Sequence, residues 1–508
     1  MNQSDKLTTR LHVDDNVVVA RVEISTGTEI PEENIVCRDK ILFGHKVATT
    51  TIAADAPIRK YGQIIGFSLR TIEPGEHVHE HNMTMKEFDR EYIVGADVKP
   101  DPPRPEREAT FQGIVRSDGR VATRNYIGVL SPVNCSATVA HRIADKFRGD
   151  ALADYPNVDG VVPVSYGWGC GFEVGGEGYR YIMDSFAGYL RHPNFTGILL
   201  VGLGCEDCNV DAVVERAGRE KGPFLHTMTI QDTGGTAKTI ERGEALIRDM
   251  LPEANRIERE PVSAGHLILG LECGGSDAYS GITANPALGA ASDRIVYNGG
   301  TAVLSETPEI YGAEHLLIRR AANPSVAEKL IERINWWKEY ARRNNGELNN
   351  NPTLGNKAGG ITTILEKSQG AAAKGGTTNL MEVYGYAEPV TTKGFVFMDT
   401  PGYDPPSITG MVAGGANVIC FTTGRGSAFG CKPVPSIKLA SNSGLYRRME
   451  DDMDINCGLV ADGDKTIDEM GEAVFQTILD VASGEKSKSE KLGIGDNEFV
   501  PWLVGSVF

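Results

Sequence analysis

The sequence predicts an α/β protein in three parts, a small N-terminal all-β module followed by two α/β domains with mostly parallel sheets. Two patterns carry this expectation. Between residues 11 and 83, short alternating runs such as VVVARVEI, HKVATTTI and PIRKYGQIIGFSL are separated by Gly and Asp turns, which is how small antiparallel strands read. Further on, four apolar runs each lead to a cysteine: IGVLSPVNC to Cys135, VVPVSYGWGC to Cys170, ILLVGLGC to Cys205 and HLILGLEC to Cys273. Such runs, alternating with longer helical patterns, read as buried parallel strands whose carboxyl ends open on one shared ligand crevice.

At 508 residues the chain exceeds one ordinary hydrophobic core, and breaks in composition divide it. KPDPPRPERE at 99–108 is rich in proline and charge and reads as a linker. A second break, PEANRIEREPVSAG, spans 252–265. The expected division is therefore 1–92 for the β module, 93–112 for the linker, 113–261 for the middle α/β domain and 262–508 for the C-terminal one. Helices are expected over 137–147, 178–191 and 325–343, and strands of the last domain over 267–271, 301–305, 394–398, 418–421 and 436–439.

Composition narrows the function. A net charge of −17 with no basic run excludes a nucleic-acid partner, whose phosphates require clustered Lys and Arg, and disfavours an anionic membrane surface. No run approaches the roughly 20 apolar residues that span a bilayer, and MNQSDKLTTR has no apolar signal core, so a cytoplasmic protein is expected. Nine scattered cysteines, an odd number, suit free thiols or metal ligands better than a disulfide framework.

Several motifs can carry chemistry. Thiols gathered at one crevice could hold iron, zinc or an iron–sulfur cluster, although small buried residues at tight turns would look the same. GEHVHEHN places His77, His79 and His81 at alternate positions, on one face of an extended strand. Three imidazoles suit a divalent transition metal, with Glu76 or Glu80 assisting and His12 or His45, beside Lys46, able to join them. A solvated His-rich loop is the plain alternative. LECGGSDAYSGITANP, NPTLGNKAGGITT and TTGRGSAFG each follow a strand candidate with glycines and small polar residues, the last two holding Lys357 and Arg425. Their backbone N–H groups and cations suit an anion, yet none matches a nucleotide loop. Arg116, Arg120 and Arg124 could clamp a carboxylate, but they precede their strand and so sit at the wrong end of it.

Taken in order, RSDGRVATRNYIGVL, VNCS, YGWGCG, VGLGCED, LECGGSDAYSGITANP, NGGTAVLSETPEIYGAEHLL, NPTLGNKAGGITT and TTGRGSAFG resemble the altronate/galactarate dehydratase family over nearly the whole chain. DNVVVA, GHKVA, KYGQIIGF and GEHVHEHN resemble its small β-clip (SAF) domain. The resemblance implies a β-clip module ahead of two Rossmann-like α/β domains. It also implies a hydro-lyase that takes water from a sugar acid to leave a 2-keto-3-deoxy acid, with Fe(2+), or alternatively Mn(2+), as the activating metal. HVHEHN and GTAVLSETPEIYGAE resemble the altronate branch, with galactarate as the alternative substrate. Two departures stand near the expected pocket: Phe429 where the family has tyrosine, and NPTLGNK in place of NPSPGNK.

That chemistry needs a base for the proton α to a carboxylate and a cation for the resulting enediolate. On this basis His45, Lys46 and Asp277 are the expected acid–base groups, and His45, His77 and His79 the expected metal ligands. Ser276, Asn285, Lys357 and Arg425 are expected to hold substrate, with Cys170, Cys205 and Cys273 lining the crevice and the β module closing over it as a lid. A homo-oligomer is compatible with the sequence. The competing readings are a lyase of the same fold acting on a sulfonated hydroxy acid, an iron–sulfur or thiol redox protein using Cys135, Cys170, Cys205 and Cys273, and a noncatalytic sugar-acid sensor.

Overall fold

The computed structural model describes residues 6–88, 90–100, 105 and 107–505, so the centre of the expected linker lies outside the described residues. The N-terminal module is all antiparallel. One sheet joins Thr8–Thr9, Val17–Ala20, Lys46–Ala48 and His77–Val78, and another joins Pro57–Lys60, Gln63–Ser68 and Met83–Thr84. Val17, Ile58, Ile65 and Val78 are buried between them. A two-residue turn, Tyr61–Gly62, links Pro57–Lys60 to Gln63–Ser68 with φ of 62° and 69°. Positive φ at both central positions is the hairpin turn that matches strand twist, and it throws the Tyr61 side chain outward from the module.

The middle region forms a four-stranded parallel sheet in the order Gly160–Ser165, Tyr126–Ser131, Phe195–Gly202, Leu225–Thr229. Helices Asn134–Ala144 and Thr236–Ala254 cover one face, where Ile127, Val129, Leu199 and Val201 are buried. Helices Glu177–Arg191 and Val210–Arg216 cover the other, over Leu130, Ile198 and Leu200. Covering on both faces explains why these strands read as unbroken apolar runs. The strands stop at Ser131, Ser165 and Gly202, so none of the three cysteines is on a strand: Cys135 lies in the first turn of helix Asn134–Ala144, and Cys170 and Cys205 lie in the turns that follow their strands.

The C-terminal sheet has seven parallel strands in the order Leu380–Tyr384, Gly394–Met398, Thr301–Leu304, Ile268–Cys273, Val418–Thr423, Ser436–Ala440, Ile455–Asn456. The five expected strands are present. The two edge strands were not anticipated, because a half-exposed edge carries little apolar pattern. The long helix runs Pro324–Arg343, started by an Asn323 side chain that accepts from Val326 N–H. Chain order departs in both directions from Ile268–Cys273, making its carboxyl end a topological switch point, where open α/β sheets bind ligands. Residues 252–265 are no free linker: Glu260–Ser263 pairs antiparallel with Thr110–Val115. Among the described residues no helix is long and apolar enough to cross a membrane.

Candidate active site

Carboxylates collect at that switch point. Ile268–Cys273 ends in Glu272 and Cys273, and the turn after Thr301–Leu304 supplies Glu306, at φ 67°, and Glu309. The turn after Gly394–Met398 leads to Asp404 at the start of helix Asp404–Gly414. Two lysines answer them: Lys374 Nζ donates to Glu306 Oε2 at 2.7 Å, and Lys367 Nζ to Glu309 Oε1 at 2.6 Å. The Cys273 thiol lies 3.5 Å from Glu306 Oε2 and 3.4 Å from Glu309 Oε2. Glu272 Oε2 accepts from Ser407 Oγ at 2.8 Å.

Four carboxyl groups face two ammonium groups, so the cluster is formally two negative charges in excess when fully ionised. Burial, and then Glu306, push Glu272 well above the carboxylate range, and burial with Glu306 and Glu309 brings Asp404 to about 7. Glu306 is held low by Lys374 in spite of its burial. Ligand atoms of Cys273, Glu306 and Glu309 lie within 4.8 Å of one another, as do those of Glu272, Glu306 and Asp404. Glu272 Oε1 and Glu306 Oε1 are buried without a hydrogen-bond partner. Orphaned acceptors and surplus negative charge in one place are what a divalent cation with oxygen ligands would satisfy, so the residues present fit an activating metal.

Beside this cluster is a narrow, nearly filled cavity of about 10 Å³ lined by Cys273, Ser276, Asp277, Asn285, Glu366 and Lys367, with Lys60 and Tyr61 entering from the β module. The Tyr61–Gly62 turn is held by Asp15, whose carboxylate accepts from Tyr61 N–H at 3.2 Å and Gly62 N–H at 2.7 Å. A Cβ on Gly281 would lie 2.6 Å from Tyr61 Oη, so only glycine leaves room for the ring. Lys46 and Lys60 both reach Glu366, at 2.8 and 3.0 Å, and all three side chains are at most 1% exposed. Both lysines hold Glu366 down at about 2 against the effect of burial. Burial, with the neighbouring Lys60 charge, lowers Lys46 to about 8, because one carboxylate cannot fully balance two ammonium groups. The module is thus locked into the α/β body by a buried triad.

The expected site residues divide into groups. Ser276, Asp277, Asn285 and Cys273 do line the cavity, and Ser276 Oγ is buried with no partner, free to bind a hydroxyl. Asp277 is occupied as a brace: its oxygens accept from Ser280 N–H and Oγ, Ser441 Oγ and Asn442 Nδ2. Asn285 spans Gly370 O and Thr422 Oγ1. Lys46 Nζ spends its donors on Gly360 O, Thr362 Oγ1 and Glu366. Lys357 pairs with Glu80 at 2.6 Å, whereas Arg425 is exposed and outside the lining. Cys170 and Cys205 are exposed on the other sheet, so the four cysteine-bearing runs do not share one crevice. Phe429 is packed in the core, stacked on Phe421 at 5.5 Å, and its lost hydroxyl does not concern the cavity. Arg124 makes a two-pronged pair with Glu490 at 2.7 and 2.8 Å, a structural role.

The histidines converge, though not as an extended strand: after the short strand His77–Val78 the chain turns, with His79 N–H donating to Asn82 Oδ1. Ring centroids of His45 lie 5.1 Å from both His77 and His79, and His77 is 5.3 Å from His81. His12 instead faces Gly62. His45 shares hydrogen bonds through Nδ1 with His77 Nε2 and through Nε2 with Ala358 O, and His79 Nε2 meets Lys357 O at 3.0 Å. Burial first, then neighbouring positive groups, lowers His77 to about 3 and His79 to about 4, so both rings are neutral. Sequence reasoning missed Glu306, Glu309, Asp404, Lys367, Lys374, Lys60 and Tyr61. A signal was present for two of them, since the acids of SETPE fall just beyond an apolar strand.

A carboxylate-rich, lysine-clamped pocket at the switch point of a parallel sheet defines an α/β enzyme that handles a small polar anion by acid–base or metal-assisted chemistry. Family comparisons agree along the chain: residues 6–86 match the altronate/galactarate dehydratase SAF domain, 113–255 the D-galactarate dehydratase/altronate hydrolase second domain, and 264–507 the D-galactarate/altronate dehydratase C-terminal domain. The chain belongs to the D-galactarate/altronate dehydratase family. It is 33% identical to altronate dehydratase of Bacillus subtilis strain 168, over 95% of this chain and 96% of that one. Altronate dehydratase of Escherichia coli strain K12 is 34% identical over the same shares, 95% and 96%. Galactarate dehydratase (L-threo-forming) of the same strain is 35% identical over 94% and 93%.

Proposed function

We propose that this chain dehydrates a sugar acid, altronate in the first place, to a 2-keto-3-deoxy acid with an iron(II) or manganese(II) ion at the carboxylate cluster. The observation that supports this most directly is the buried surplus of carboxylates beside a polar cavity, in a chain whose near-full-length relatives are altronate and galactarate dehydratases. Glu272, Glu306, Glu309 and Asp404 would hold the cation, which would supply Lewis-acid positive charge beside the substrate carboxylate. Lys367 and Lys374 border that charge and steer the substrate carboxylate. Ser276 Oγ takes a substrate hydroxyl, while Asp277 and Asn285 brace the turn that presents it. His45, His77 and His79 serve as neutral acid–base groups on the module side, since both ring nitrogens of His45 are engaged and the carboxylates make the better cation site. Lys357 and Arg425 draw the anion toward the entrance, and Cys273 closes the cavity wall. The reaction is placed in the cytoplasm, where its nine unpaired cysteines stay reduced.

Chelated protein resupplied with iron(II), manganese(II) or magnesium(II) should form 2-keto-3-deoxy product from altronate. Product from galactarate alone would give the second reading, which the galactarate dehydratase relative supports. No product from any aldonate or aldarate with any metal would sink both. Tyr61 reaches the cavity on a strained turn, so its hydroxyl is placed to give a proton to the departing group. Tyr61→Phe is expected to lower kcat by about 10²-fold or more with little change in KM, and an unchanged kcat in steady-state assays would remove Tyr61 from the proton path.

A further inference from the structure

Cys135, Cys170 and Cys205 take no part in the site above, yet the fold gathers them. They follow three neighbouring parallel strands, in the sheet order Gly160–Ser165, Tyr126–Ser131, Phe195–Gly202. Cys135 lies in the first turn of the 11-residue helix Asn134–Ala144. The turns are laced together: Asn134 N–H donates to Trp168 O at 2.7 Å, Cys208 N–H to Gly169 O at 3.1 Å, and Gly171 N–H to Asp207 Oδ2 at 2.7 Å. Gly169, at φ 113°, passes so close that a Cβ there would stand 2.5 Å from Pro132 O. The three thiols are free and exposed, and burial, followed by the charges of Asp207, Cys135 and Cys205, raises the Cys170 thiol.

Among the described residues the three sulfurs form no group with all ligand atoms within 4.8 Å of one another, whereas thiolates around one tetrahedral zinc stand about 4 Å apart. A polynuclear iron–sulfur cluster, in which each thiolate binds a different iron, spans a wider triangle. Cys208, three residues after Cys205, is fully buried and does not complete a four-thiol set.

We propose that Cys135, Cys170 and Cys205 bind a cubane iron–sulfur cluster at the exposed carboxyl edge of the middle sheet, leaving one iron without a protein thiolate. Uptake of a preassembled cluster exchanges three external ligands for three cysteines. Each thiol loses its proton to solvent and forms one iron–sulfur bond, with no electron transferred. The inference is independent of the dehydratase reading, because an ion at the carboxylate cluster brings no sulfide.

The test uses the full chain, purified without oxygen or loaded by exchange from a cluster ligated by small thiolates. About four iron and four acid-labile sulfide per chain are expected, with broad visible absorption. Cys135→Ser, Cys170→Ser and Cys205→Ser should each cut sulfide at least tenfold without altering the far-ultraviolet circular dichroism, and Cys37→Ser should retain it. Absence of sulfide after loading, a single zinc or iron without sulfide, or retention of the cluster in all three variants would overturn the proposal.

Discussion

Replacing Glu306 by Gln is expected to lower kcat/KM for sugar-acid dehydration by about 10³-fold and to weaken binding of the activating metal. Glu306 belongs to both groups of ligand atoms that can hold a cation, and it anchors Lys374 at 2.7 Å. A metal acting as a Lewis acid is worth several kcal/mol of transition-state stabilisation, and about 1.4 kcal/mol corresponds to each tenfold in rate. The amide keeps the shape and still accepts from Lys374 but removes the charge. Glu309→Gln should act in the same direction. Glu339→Gln, at an exposed helix position beside Arg342 and Arg343, should change nothing. Rate measurements across a metal titration, with metal content by mass spectrometry, decide the matter. Wild-type affinity and rate in both cluster variants would move the metal elsewhere, with the histidines next in line.

The second large effect concerns stability. Glu366→Leu leaves Lys46 and Lys60 buried with no counter-charge, and breaking a buried ion pair from one side costs about 3–5 kcal/mol. Thermal unfolding of the variant should show a markedly lower Tm and early release of the β module. The triple variant Lys46→Met, Lys60→Met, Glu366→Leu should recover much of the loss, because apolar groups of similar size remove the penalty together with the attraction. The acid limb gives an independent reading. Glu366 sits at about 2 in the folded chain against an ordinary 4.5. Its contribution is therefore present above about 4.5 and is lost as pH falls from there toward 2. The Glu366→Leu protein should lack that part of the acid-side decline, and identical acid limbs for the two proteins would show that the triad adds nothing.

What was readable beforehand follows from burial. Gly394–Met398 coincides with its expected range because a strand covered on both faces is apolar throughout. The helical pattern over 325–343 matches helix Pro324–Arg343 to within one residue, the start being fixed by the Asn323 cap and Pro324 in the first turn. Cys273, Ser276 and Asn285, expected near the site from LECGGSDAYSGITANP, do line the cavity, at the strand end, in the glycine turn and in the first turn of the next helix. The alternate spacing of His77, His79 and His81 predicts convergent rings on an extended strand; the rings do converge, but a turn and not a strand brings them together. Lys46 was expected in catalysis from its place beside His45, and its donors prove to be committed to the docking of the module.

By itself the sequence determined the strand runs, the glycine turns at their ends and the chemical classes of residue delivered there, because each depends on neighbours within a few positions. Which strands share a sheet depends on pairing across long separations, and only the tertiary structure decided it. Pairing assigns Cys273 to the large sheet and Cys135, Cys170 and Cys205 to the smaller one. It brings Glu306 to Lys374, 68 residues away, and Lys46 to Glu366, 320 away. Those pairs form because a buried charge is tolerated only beside its opposite, and docking alone settles which opposite is near.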